Sequence, residues 1–279
     1  MNTNVQNGYI TIDDIAIYYE VQGSGYPLLL IPSMGGDSWW FYKIANHLSC
    51  HFKVITYDMR GCGRSIANQV INFEISRHCD DISALLDSLG EQPVYIAGFS
   101  SGSVIACEMA IRYPSLVKAM LLFEPPMVRI HPRHKKLHSM IAGVYRTAFR
   151  YGPIIAGLKF VWGAGLPLQP LLKGGAEQKQ YLSQTNIKPK QISLADQYLE
   201  FVIVTNYQPN IEKLNLSGVR IFTGAGKDSL RKKRFYAQTA ELLAASLKCK
   251  LVVFPGHHFS FFHSAADFAQ VLKSAFLND

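Results

Sequence analysis

The sequence predicts an α/β fold in which a mostly parallel, eight-stranded sheet flanked by helices is interrupted once by a helical insertion. Three observations carry this reading. Short apolar runs alternate with segments of helical spacing over most of the 279 residues. The alternation stops after Glu124-Pro125-Pro126 and resumes near Val219. Hydrophobic residues make up 48 % of the chain and charged residues 17 %, ample for a large core and unlike a disordered chain.

In chain order, Ile10 to Ile12 and Ile15 to Val21 are expected as strands joined by the Asp13-Asp14 turn. Pro27 to Ile31 is a continuous apolar run, as a strand covered on both faces requires. Val54 to Tyr57, Val94 to Ala97 and Ala119 to Phe123 have the same character. Between them, Ile82, Leu85, Leu86 and Leu89 form one apolar helix face in Asp80 to Leu89, which Gly90 ends. Ser101 to Tyr113 is a second helix, closed by Pro114. Residues 126–216 then suggest several helices, punctuated by Gly-Ala-Gly-Leu-Pro and Lys-Gly-Gly. A block that long is rarely a plain loop, and a lid over the sheet's carboxyl edge is the natural reading. After it, Val219 to Thr223 and Leu251 to Phe254 read as strands, with helices after Arg234 and from Ala265 to Phe276. The expected division is a core of residues 1–125 and 217–279 and a helical cap of residues 126–216.

The polar start, Met-Asn-Thr-Asn-Val-Gln-Asn-Gly, lacks the layout of a secretory signal. The most apolar long stretch, Ile141 to Leu172, is broken by Arg146, Arg150 and Lys159, so no integral membrane segment is expected. Cys50, Cys62, Cys79, Cys107 and Cys249 are odd in number and lack metal-ligand spacing, which fits reduced thiols in a cytoplasmic protein. The net charge of +8 raises the question of an anionic partner, either a substrate or a membrane lipid. Basic residues concentrate in Arg129 to His138 and in Lys227 to Arg234. Neither run interleaves aromatics as a nucleic-acid platform does, so both read as solvated surface and nucleic acid is not an expected partner.

Gly98-Phe99-Ser100-Ser101-Gly102 follows one buried strand and opens a helix. A serine nucleophile needs such a sharp turn to expose its hydroxyl in a strained conformation. Flanking glycines let neighbouring backbone approach, and the helix N-terminus sets N–H groups where negative charge develops. Ser100 is the central residue.

A serine hydroxyl needs an adjacent general base. Pro255-Gly256-His257-His258-Phe259 follows the last strand, where that base belongs, and the motif spacing favours His258 over His257. The acid that orients the imidazole is expected in Asp228, in the loop after Val219 to Thr223; Glu124, at the end of an earlier strand, is its rival.

These features together resemble the α/β-hydrolase family, most closely its cap-bearing esterase, lactonase and epoxide-hydrolase-like branch. Tyr57-Asp58-Met59-Arg60-Gly61-Cys62-Gly63-Arg64-Ser65 is similar to the family's D-x-R-G-x-G-x-S loop. Asp81-Ile82 through Leu89-Gly90 resembles its helix before the nucleophile strand, and Pro255-Gly256-His257-His258 with Asp267-Phe268-Ala269 its histidine loop and final helix. The resemblance implies an oxyanion hole of two backbone N–H groups, those of Ser101 and Met34. It departs from the family at Pro32-Ser33, where His-Gly is usual. In this pattern Asp58 and Arg60 tie a loop together, and Cys62 is structural.

The expected reaction is a two-step acyl transfer by Ser100, Asp228 and His258 on a carboxylic ester or lactone, with no metal or organic cofactor. Serine at position 100 argues against dehalogenases and epoxide hydrolases, which need a carboxylate there. Trp162, Phe160 and Tyr151 fit either an apolar acyl pocket or the cap's own core. The basic segment from Arg129 keeps a carboxylate-bearing ester in play. Non-hydrolytic acyl transfer, perhydrolysis or lyase chemistry on the same scaffold, and a slow-turnover ligand receptor, are the alternatives.

Overall fold

Strand β3 (Tyr26–Ile31) shows how the core is built. Leu29 and Ile31 pack on one face of the sheet, and Leu28 and Leu30 on the other. The same alternation recurs in β6 (Val94–Phe99), with Ile96 against Tyr95 and Ala97, and in β7 (Val117–Phe123), with Met120 and Leu122 against Leu121 and Phe123. Successive side chains of a strand point to opposite faces. A strand covered on both faces must therefore be apolar throughout, which explains the unbroken runs in the sequence. Each such fully buried side chain contributes roughly 1.5–3 kcal/mol.

The computed structural model describes residues 5–13, 15–33, 36–67, 73–184 and 194–278, with the backbone alone for 179–184 and 194–199. The remaining strands are β1 (Gln6–Ile12), β2 (Ile15–Gln22), β4 (Phe52–Tyr57), the two-residue β5 (Ile66–Ala67), β8 (Arg220–Gly226) and β9 (Lys250–Phe254). Their order in the sheet is β1-β2-β4-β3-β6-β7-β8-β9, with β5 paired to β2. Every pairing from β4 to β9 along this path is parallel; β2 runs antiparallel to both of its long neighbours. The Asp13-Asp14 turn lies between Ile12 and Ile15, which face each other in the ladder; Asp14 lies outside the described residues.

Helices cover both faces. On one side lie α2 (Ile75–Leu89), α3 (Gly102–Arg112) and α10 (Phe235–Leu247), which bury Ile82, Val104 and Leu243. On the other lie α1 (Tyr42–Leu48) and α12 (Ala265–Leu277), which bury Ile44, Phe268 and Leu272. The helix expected from Asp80 begins five residues earlier, at Ile75, and stops where expected, at Gly90 with a left-handed φ of 66°. Between β7 and β8 the described chain forms helices without strands: α4 (His134–Tyr151), α5 (Pro153–Ala164), α6 (Leu168–Gln184), α7 (Leu194–Asn206) and α8 (Ile211–Leu216). The short helices α9 (Lys227–Arg231) and α11 (Ser260–His263) follow β8 and β9. No helix among the described residues is long and apolar enough to cross a membrane.

The loop after β4 is tied as its sequence suggests. The buried carboxylate of Asp58 accepts from the Ser38 and Arg64 backbone N–H groups, both at 2.7 Å, and from Arg64 Nε at 2.8 Å. Arg60 donates to both carboxylate oxygens of Asp81 on α2. Cys62 is buried among these groups, and its burial raises the thiol pKa well above the usual range, which suits a structural cysteine.

Candidate active site

Ser100 stands between β6 and α3 with φ 52°, a left-handed backbone that non-glycine residues rarely adopt. Two glycines permit the turn. A β-carbon at Gly98 would sit 2.6 Å from the carbonyl oxygen of Gly102, and one at Gly102 would sit 2.5 Å from those of Ile31 and Pro32. The turn is held by the Ser100 N–H on the Phe123 carbonyl at 2.9 Å and by the Ser103 N–H on the Ser100 carbonyl at 3.0 Å. Helix α3 therefore starts directly behind the hydroxyl, with Ser101 as its cap.

His258 follows β9 and faces the same cavity as Ser100. Its ring is buried between Tyr236, at 4.6 Å between centroids, and Phe259, at 5.2 Å, with Phe123 further off. Its Nδ1 lies 2.6 Å from Oε2 of Glu124. Glu124 is fully buried at the end of β7 and has φ 46°. Its N–H donates to the Gly224 carbonyl at 2.8 Å, and its Oε1 accepts the Gly226 N–H at 2.9 Å. One carboxylate thus bridges β7, β8 and the imidazole.

The expected pairing of His258 with Asp228 is corrected by this geometry. Asp228 lies in the first turn of α9, its side chain is 40 % exposed, and it pairs with Arg231 at 3.0 Å. Its contact with the histidine loop is made by backbone, the Asp228 N–H donating to Gly256 at 2.7 Å. The two candidate acids end neighbouring strands, since Phe123 lies beside Gly224 in the sheet. Glu124 follows β7, which lies beside the strand that leads into Ser100, and its carboxylate reaches the ring. His257 is a loop neighbour whose half-buried ring accepts from the Phe259 N–H at 3.2 Å, and burial lowers its pKa below the usual imidazole value.

The cavity at Ser100 holds about 250 Å³ and is walled by apolar side chains from the inserted helices, Phe160, Val161, Leu171 and Phe201 among them. Ser33 and Ser101 line it together, their hydroxyl oxygens 3.4 Å apart. Ser101 is thus placed beside Ser100 in the cavity wall; Met34, the other expected backbone donor, lies outside the described residues. A wider outer depression of about 470 Å³ shares Val161, Leu166 and Tyr236 with the inner cavity and reaches Asp228, Lys232 and His257. Tyr236, packed against the His258 ring, is a residue of the site that sequence reasoning missed. It is an aromatic at the start of an ordinary core helix and carries no local signal of its place against an imidazole.

The sheet order, with a serine at the β6–α3 turn and a histidine after the last strand, defines the class: the chain has the α/β-hydrolase fold. The family model described as alpha/beta hydrolase fold matches residues 26–150. Among curated proteins, the chain is similar to the hydrolase YraK of Bacillus subtilis, at 29 % identity over 262 residues, covering 91 % of this chain and 90 % of that one. Among solved structures, it superposes on the bromoperoxidase of Bacillus anthracis with a TM-score of 0.77 and 18 % identity, covering 98 % of this chain and 100 % of that one. It also superposes on the esterase EaEST of Exiguobacterium antarcticum with a TM-score of 0.75 and 19 % identity, over 97 % and 99 % of the two chains.

Proposed function

We propose that the chain is a serine hydrolase that cleaves a carboxylic ester or lactone through an acyl-enzyme on Ser100. The single observation that carries this reading is the line of groups at one cavity: Ser100 on a strained turn, His258 facing it, and the buried Glu124 carboxylate on His258 Nδ1. Glu124 fixes the tautomer that leaves Nε2 free to take the serine proton, and it stabilises the imidazolium that forms. Ser100 attacks the carbonyl. The oxyanion is held by the Ser101 N–H at the start of α3 and by that of Met34. The imidazolium then protonates the leaving alcohol, and water repeats the sequence on the acyl-enzyme.

Helices of residues 126–216 act as the cap. Their apolar side chains close the cavity over Ser100, which suits an apolar acyl group and excludes bulk water from the developing charges.

The test is a panel of p-nitrophenyl esters of graded acyl length, together with lactones, with Ser100→Ala as control. Ser100→Ala is expected to lose about a thousandfold or more of the activity, and a fluorophosphonate probe is expected to label Ser100 in the folded protein. Activity that survives in Ser100→Ala, or a folded protein whose Ser100 stays unlabelled, overturns the mechanism. Product analysis with and without an added alcohol or peroxide separates hydrolysis from transfer.

A further inference from the structure

The net charge of the chain is not spread over it. Residues 125–176 hold eight Lys and Arg side chains and no Asp or Glu, whereas the rest of the chain holds twenty of each sign, so the whole excess of +8 resides in this one stretch. The exposed apolar surface concentrates in the same place. Of fourteen large apolar side chains that stand exposed among the described residues, eight fall between positions 149 and 172. On α5 they form a stripe at i, i+4 and i+8, with Ile154 77 %, Leu158 56 % and Trp162 89 % exposed.

The two basic segments noted in the sequence meet at the end of that stripe. Arg133 and Lys136 of α4 and Lys233 and Arg234 after β8 line a depression of about 370 Å³ beside Gly163. No acidic side chain lines it, and none of these four cations is in a salt bridge among the described residues. Leu158, Trp162 and Leu168 in turn line the outer depression with Lys232 and Arg234. Cations and exposed apolar side chains therefore share one surface, beside a depression that has Val161, Leu166 and Tyr236 in common with the Ser100 cavity. The separate runs that read as solvated surface in the sequence are one patch in the fold.

We propose that this face of α4, α5 and the start of α6 docks on an anionic lipid surface. Ile154, Leu158 and Trp162 enter the boundary between headgroups and acyl chains, and the surrounding Lys and Arg side chains meet lipid phosphates. An apolar stripe carrying a tryptophan, set among cations, is the pattern of an interfacial helix. Charge decides against the other occupants. A second copy seated symmetrically on this face would set the entire positive excess of each chain against that of the other. A polynucleotide would meet a stripe offering a single aromatic ring for stacking.

The experiment is sedimentation of the full chain, and of its Ser100→Ala variant, with vesicles of phosphatidylcholine alone and with equal parts of phosphatidylglycerol. Use of Ser100→Ala keeps the result independent of catalysis. Binding is expected with the mixed vesicles only, to weaken in high salt, and to shift the emission of exposed Trp162 to the blue. Lys136→Glu with Lys233→Glu, and separately Ile154→Ser with Trp162→Ser, are each expected to lower partitioning by about tenfold or more while circular dichroism and thermal unfolding show the fold retained. Absence of binding, equal binding to neutral vesicles, or binding unchanged in folded variants overturns the proposal. So does a dimer in analytical ultracentrifugation that Ile154→Ser with Trp162→Ser dissolves.

Discussion

Glu124 Oε2 lies 2.6 Å from His258 Nδ1, while its Oε1 accepts the backbone N–H of Gly226 at 2.9 Å. The Glu124 carboxylate is therefore tied to the sheet rather than to a surface loop. Glu124→Gln keeps the shape but offers the ring an amide in place of a carboxylate. It is expected to lower kcat/KM for a p-nitrophenyl ester by about a hundredfold to ten-thousandfold. Asp228→Asn is expected to cost less than about tenfold, since its carboxylate faces Arg231 and solvent. Steady-state kinetics of the two variants, side by side, decides which carboxylate serves the histidine.

His78 is buried on α2 against the Phe73 ring at 4.7 Å, and neither of its ring nitrogens meets a partner among the described residues. Burial lowers its pKa from 6.5 to about 3, with Arg60 adding to the effect. Between these two values the unfolded chain takes up a proton that the folded chain refuses. Stability is thus expected to fall as pH drops from 6.5 toward 3, at about 1.4 kcal/mol per pH unit from this group. His78→Leu is expected to remove that slope and to add roughly 1 kcal/mol at neutral pH. Urea unfolding of both proteins across this range measures it.

At Gly102 a methyl group would press on the Ile31 and Pro32 carbonyls. Gly102→Ala is expected to destabilise the protein by about 1–3 kcal/mol and to slow labelling of Ser100 by fluorophosphonate. Thermal unfolding and a labelling time course on the same samples read both effects.

Phe160 walls the inner cavity and packs edge-on against Phe201 at 4.6 Å. Phe160→Ala lengthens the space available to an acyl chain. The preferred ester is expected to become longer, with each extra methylene gaining about tenfold or more relative to the unaltered protein. Competition between p-nitrophenyl esters of neighbouring chain length gives the ratio directly.

The strands and the strained turn at Ser100 were legible because both rest on local rules. A doubly covered strand must be apolar throughout, and a serine on a left-handed turn needs small neighbours on both sides. Strands observed as Val94–Phe99 and Lys250–Phe254 lie within two residues of the expected runs for that reason. The partner of His258 was not legible, because Glu124 and Asp228 follow adjacent parallel strands and both come after apolar runs. What separates them is which side chain turns inward, and that is set by Glu124's φ of 46° and by the Gly226 N–H, contacts made across the sheet. A faint signal was present: a lone carboxylate directly after the apolar run Ala119 to Phe123 and before Pro125-Pro126 has no water to satisfy it. The convergence of the two basic runs was equally hidden, since it depends on α5 ending beside the loop after β8.

The seating of Glu124 across β7 and β8 has a consequence for change over time and for design. With Glu124 held by the central framework, the proposed mechanism asks no chemical step of the segment from Lys227 to Arg234. It can be recharged or exchanged to alter what reaches the site, while the contact between Glu124 and His258 behind it stays in register.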